Sequence, residues 1–127
     1  MRWDIEPFCP RYTRAVEIIG RRWTGAIVRA LIAGRTRFSE ISHTVPGLSD
    51  RLLSIRLKEL EAEGLVVRTV QPSTPVRIDY TLTDKGAALV PVVRSVATWA
   101  ETWLPTADQD ATASAPLASS GAKNRPV

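Results

Sequence analysis

Breaks at Gly20, Gly34, Pro46-Gly47 and Gly64 divide the first half of the chain into short helices. Residues 9–19 carry Val16, Ile18 and Ile19, and Gly20 ends them. Residues 23–33 place Trp23, Ile27, Ala30 and Leu31 on one stripe, with Gly34 as a natural residue just past the helix end. A third helix is predicted over about residues 38–44, capped by Thr36, with Phe38 and Ile41 facing inward at i and i+3. Val45-Pro46-Gly47 then forces a turn, because proline resists continuing a helix and glycine permits positive φ. Ser49 opens the next helix as its N-cap, Asp50 sits near the positive end of the dipole, and Gly64 stops the helix after Glu63. Two short helices joined by a tight Pro-Gly turn are the pattern of a helix-turn-helix.

The pattern changes after Gly64. Residues 65–70 are rich in valine, and residues 76–82 alternate Val76, Ile78, Tyr80 and Leu82, so both read as strands. Gln71-Pro72-Ser73-Thr74-Pro75 between them is a stiff loop that cannot be strand interior, which gives a hairpin with a protruding tip. A last helix is predicted from Thr83 and Asp84 to about Trp103, kinked at Pro91. The expected architecture is α+β and mainly helical, a winged helix-turn-helix in residues 1–104. Residues 105–127, mainly Pro, Ala, Ser, Thr and Gly with no aromatic residue, are expected to form a disordered tail.

Composition narrows the function. The chain has 127 residues and a single cysteine, so it holds one domain and no internal disulfide. It lacks a membrane-length apolar run, a signal-peptide pattern and zinc-ligand spacing, so a reduced, cytoplasmic protein without cofactor or metal is expected. P-loop, Gly-x-Gly-x-x-Gly, paired-carboxylate and nucleophile motifs are missing, which argues against an enzyme. The net charge is +4, and the isoelectric point near 9.8 suits a polyanionic partner. Fifteen of the seventeen basic residues precede residue 105, and thirteen of those fifteen are arginine, whose planar fork matches phosphate and guanine edges.

Setting Leu53 as the inward direction of the 49–63 helix puts Leu57 and Leu60 within about 40° of it at 100° per residue. Arg51, Ser54, Ile55 and Lys58 then lie outward, and this side of the helix is expected to form a cationic surface. Arg51 is the candidate for a bidentate contact to guanine, Ser54 for a base or phosphate, and Lys58 for a phosphate. Ile55 either meets a thymine methyl or packs on an adjacent helix. Arg56 falls at the boundary, with its head expected to reach outward. Arg77, beside a hairpin tip that includes Thr74, suits a minor groove, while Arg35 and Arg37 suit phosphates. A solvated amphipathic helix is the competing reading of any one of these residues. Their order, turn then helix then hairpin, favours double-stranded DNA.

Across residues 9–103 the chain resembles the HxlR family of MarR-like winged-helix transcription regulators. The resemblance rests on Cys9-Pro10, Gly20-Arg21-Arg22-Trp23, Arg37-Phe38-Ser39-Glu40-Ile41 and Pro46-Gly47-Leu48-Ser49-Asp50-Arg51-Leu52-Leu53. It continues through the run from Leu57 to Val66, Arg77-Ile78-Asp79-Tyr80-Thr81-Leu82-Thr83-Asp84-Lys85-Gly86, and the surroundings of Trp99. It implies a homodimeric regulator, more often a repressor, bound to inverted-repeat operator DNA. It places recognition on Ser49, Asp50, Arg51, Ser54 and Ile55 and the wing contact on Arg77. Ile55 stands where the family usually has a polar residue, and Pro75-Val76-Arg77 replaces the usual Pro-Pro-Arg.

The last helix offers Val92, Val96, Trp99 and Trp103 at roughly heptad spacing, more apolar surface than so small a core needs, and an interface is expected there. Trp3, Ile5 and Phe8 are expected to pack on the partner's last helix. The family implies a sensing role for a cysteine at the place of Cys9, which lies before a helix with Arg11 and Arg14 close by; a buried apolar role is the alternative. Multidrug-responsive relatives imply a small-molecule effector at the dimer junction. His43 is expected to be a surface residue. The alternative function is a winged-helix protein-interaction module without DNA binding, which would require a neutral or acidic recognition face.

Overall fold

The computed structural model describes residues 4–106, so the expectations for Trp3 and for most of the tail (107–127) lie outside the described residues. The elements run α1 (Pro10–Ile19), α2 (Thr24–Ile32), α3 (Phe38–Thr44), α4 (Asp50–Ala62), β1 (Val66–Gln71), β2 (Arg77–Leu82), α5 (Asp84–Ala87) and α6 (Val90–Trp103). They fall into two compact units that divide at Val90 and Pro91. Within the first unit, the helix-turn-helix and its wing match the expected α+β, mainly helical class. Among the described residues, no helix is long and apolar enough to cross a membrane.

The core of the first unit is aliphatic. Ile27, Val28, Ala30 and Leu31 of α2, Ile41 of α3, and Leu53, Leu57 and Leu60 of α4 are buried, with Val45, Leu48, Leu65 and Val66 closing the edges. On α4 the buried stripe recurs at i, i+4 and i+7, as the sequence period requires. The turn between α3 and α4 has Gly47 at φ +86°, a left-handed conformation that favours glycine. The hairpin is antiparallel, pairing Val66 with Leu82 and Gln71 with Arg77. A backbone bond from the Tyr80 N–H to the Thr36 carbonyl (2.7 Å) ties it to the segment before α3.

Two local expectations are corrected. Thr36 does not cap α3. Glu40, three residues into the helix, accepts from the backbone N–H of Arg37 and of Thr36 (3.1 and 3.0 Å), and those donors, Arg37 first, hold its carboxyl below the ordinary range. The last helix is also not one kinked rod. α5 ends at Ala87, a turn follows at Ala88 and Leu89, and Pro91 becomes the second residue of α6. A proline there loses nothing, because first-turn amides lack intrahelical acceptors. Within α5 only glycine fits at position 86, since a Cβ there would lie 2.1 Å from the Leu65 carbonyl oxygen.

Candidate nucleic-acid interface

Side-chain hydrogen bonds hold the start of α4. The Ser49 hydroxyl oxygen accepts from the Leu52 N–H at 3.1 Å, and Ser42 of α3 donates to the Asp50 carboxylate at 2.9 Å. Both residues carried recognition roles in the sequence reading, and both carry local structural ones here. Ser49 keeps its own O–H to donate, while Asp50 locks α4 to α3 across the turn. Arg51 and Lys58 are exposed, Ser54 is half-buried, and Ile55 is 38% exposed, so all four present surface on α4.

The basic residues separate into two groups. Among the described residues, Arg35, Arg37, Arg51 and Lys58 have no salt-bridge partner, whereas Arg14, Arg21, Arg56 and Arg77 each pair with a carboxylate. Arg56 does not reach outward as expected. Its Nε donates to the Arg22 carbonyl at 2.9 Å and its Nη1 to Glu59 at 3.1 Å, leaving the side chain 16% exposed. Nor is α4 cationic as a whole. Asp50, Glu59 and Glu61 match Arg51, Arg56 and Lys58 in number. On α4, therefore, the cations without a carboxylate partner among the described residues are Arg51 and Lys58. Partial burial pushes the Glu59 carboxyl up, but the hydrogen bond from Arg21 and the charges of Arg56 and Arg21 outweigh it and hold the carboxyl below its ordinary range.

At the wing, one shallow groove is lined by Arg37 together with Thr74, Pro75, Val76 and Arg77, so three residues named separately from sequence share a surface. Arg35 lines another, with Ser39, Glu40 and His43 of α3. His43 is exposed and bonded through Nδ1 to the Ser39 carbonyl at 2.7 Å. Arg77 is anchored through Nε, 3.0 Å from the Asp79 carboxylate, and among the described residues no hydrogen bond occupies its terminal nitrogens. Asp79 is the residue that the sequence reading overlooked. It is buried, and it accepts from Thr36 (3.1 Å), Gln71 (3.1 Å) and Arg77, binding both strands of the wing to the segment before α3. The signal was available: strand alternation puts Arg77 and Asp79 on one face of β2.

Cys9 is the N-cap residue of α1 and is half-buried. The backbone N–H groups of Tyr12 and then Arg11 lower its thiol pKa and outweigh the opposing effect of burial, with a smaller lowering from the Arg11 side chain. Phe8 is 69% exposed, and on α6 Val92, Val96, Trp99 and Trp103 are all exposed, the two tryptophans by 58% and 71%.

The HxlR-like helix-turn-helix family model matches residues 18–108. YvaP of Bacillus subtilis (strain 168), described as an uncharacterized HTH-type transcriptional regulator, is 54% identical over 96 residues, covering 76% of this chain and 89% of its own. The HTH-type transcriptional regulator YodB of the same organism is 45% identical over 93 residues, 73% of this chain and 83% of that one. The structure of reduced YodB superposes with a TM-score of 0.69, covering 76% of this chain and 95% of that one at 43% identity; diamide-treated and quinone-bound forms of YodB also match. HypR, a redox regulator solved in its oxidized form, gives a TM-score of 0.71 at 34% identity, covering 77% of this chain and all of that one.

Proposed function

This chain is a DNA-binding transcriptional regulator of the HxlR-like helix-turn-helix family, and on that premise we propose that it is a cytoplasmic homodimeric repressor of inverted-repeat operators. In this reading α4 enters the major groove, Arg51 donates both ends of its fork to a guanine, and Ser49, Asp50, Ser54 and Ile55 border that contact. Lys58, Arg35 and Arg37 take phosphates, and Arg77 and Thr74 approach the flanking minor groove. The protein acts by binding and not by catalysis. The carrying observation is the division of basic residues on α4: among the described residues the exposed Arg51 and Lys58 have no salt-bridge partner, while Arg56 of the same helix has one. A protein-interaction module would not need free cations there.

The exposed Val92, Val96, Trp99 and Trp103 of α6, and Phe8, support self-association. A two-fold dimer would space two α4 helices about 34 Å apart, one turn of DNA. Sedimentation at micromolar concentration is expected to give twice the 14.0 kDa chain mass; the single-chain mass would contradict the dimer. Gel shifts at rising salt are expected to show steep weakening on any duplex, and binding indifferent to salt would contradict the DNA reading.

A regulatory role for Cys9 is favoured by its lowered thiol pKa and its place at the start of α1. With one cysteine per chain, a thiol oxidant joins Cys9 to a second copy, caps it with a small thiol, or overoxidises it. Wild type is expected to leave DNA at a thiol-oxidant dose that a Cys9→Ser variant withstands. Release of both at the same dose would exclude the role.

A further inference from the structure

We infer that Arg56 is a positioning residue for base reading: with Glu59 it locks α4 to residues 21–23 and sets the rotation at which Arg51, Ser54 and Ile55 meet DNA. The inference rests on α4 being the recognition helix and adds what holds that helix in register. The core side of α4 is three leucines, Leu53, Leu57 and Leu60. Such contact is strong but not directional, because apolar burial depends on area and leaves rotation about the helix axis weakly specified. A rotation of roughly 20° moves groups at the side-chain radius of about 5–6 Å by about 2 Å. Hydrogen bonds tolerate only about 0.5 Å, between roughly 2.7 and 3.2 Å. Something directional has to hold the angle if Arg51 is to read a base.

The loop before α2 supplies it. Arg56 Nε donates to the Arg22 carbonyl (2.9 Å), Arg56 Nη1 reaches Glu59 Oε1 (3.1 Å), and Arg21 Nη1 reaches the same oxygen (3.0 Å). These four groups close a ring, two on the loop and two one turn apart on α4. The loop is itself braced. Trp23 takes the left-handed conformation (φ +77°), and the Arg22 guanidinium lies 5.0 Å from the centre of its ring. That ring also reaches Gly47, within 3.4 Å of where a Cβ would stand. One loop therefore touches both the turn that launches α4 and the middle of the helix. Farther along the same helix, Glu63 pairs with Arg14 of α1. Lysine cannot take the place of Arg56, because its ammonium lacks the planar fork that serves a carbonyl and a carboxylate together.

The test is selection of bound duplexes from a random library by wild type, Arg56→Lys and Glu59→Gln, followed by affinities for the wild-type winner and for a random duplex. Arg56→Lys keeps the charge, so a positioning role predicts about a tenfold loss on the selected duplex, less than about a twofold loss on the random one, and an unchanged salt slope. Base preference opposite Arg51 should relax, and in an Arg51→Ala background Arg56→Lys should relax it no further. Equal losses on both duplexes, or an unchanged ratio between them, overturn the inference. If Arg56→Lys fails to fold, Glu59→Gln is read by the same ratio, with a smaller loss of about threefold expected. A wild type that enriches no sequence removes the DNA-reading premise as well. One that enriches a site while both variants keep its full preference removes only the role of Arg56.

Discussion

Two faces of α4 use the same chemistry to opposite ends. On one, Arg51 and Lys58 stand exposed without carboxylate partners among the described residues; on the other, Arg56, Glu59 and the C-cap residue Glu63 are tied to Arg21, Arg22 and Arg14. Net charge does not separate them, since the helix is balanced overall. Pairing does. A guanidinium already facing a carboxylate has little left for a phosphate, so the paired face serves the protein and the open face serves a ligand. The wing combines the two within one residue: Arg77 gives Nε to Asp79, and among the described residues nothing bonds to its outer nitrogens.

Removing what both faces share should have the largest effect. Leu53 is fully buried between them, and Leu53→Ala is expected to cost about 2–5 kcal/mol of stability in denaturant unfolding. A cost under about 1 kcal/mol would mean that α4 is not anchored by its leucines. Next comes the open face. Arg51→Ala should lose about 1–3 kcal/mol on a selected duplex and almost nothing on a random one in equilibrium titrations. Lys58→Ala should weaken both alike and lower the salt slope by about one. If these two variants exchange behaviours, the base and phosphate roles are reversed.

The paired face should respond more weakly. Arg14 is about half exposed in its pair with Glu63, so Arg14→Ala should cost no more than about 1 kcal/mol, measured by unfolding at low and high salt. Glu59 adds a pH signature. Its carboxyl is lowered in the folded protein, so its contribution is present above the ordinary glutamate range and is lost as pH falls through the folded value. Wild type should therefore exceed Glu59→Gln in stability at neutral pH and converge with it in acid. A gap that widens on acidification would reverse the sign assigned to this network.

Much of this was legible in the sequence because local rules agreed with one another. Glycine and proline breaks placed α1 to α4 within about a residue, and the outward positions of Arg51, Ser54, Ile55 and Lys58 followed from the leucine stripe. What could not be read were contacts between distant segments. Helical geometry put Arg56 at a boundary, but only the fold brings the Arg22 carbonyl, 34 positions earlier, within reach of it. Asp79 looked like one more strand residue until Thr36 and Gln71 converged on it. Thr36 likewise lies one residue before the N-cap, Arg37, and its hydroxyl donates to Asp79 instead. The sequence places Pro91 inside an unbroken helix, whereas a turn at Ala88 and Leu89 ends α5 first and leaves the proline in the first turn of α6.

The most direct measurement concerns a single nitrogen on DNA. In a duplex selected by the wild-type protein, the guanine assigned to Arg51 is replaced by 7-deazaguanine, which lacks the N7 acceptor, and binding is titrated with wild type and Arg51→Ala. Wild type is expected to lose about tenfold and Arg51→Ala to lose nothing further, since its fork is already gone. Equal losses by the two proteins, or none by the wild type, would show that Arg51 on α4 does not read that edge.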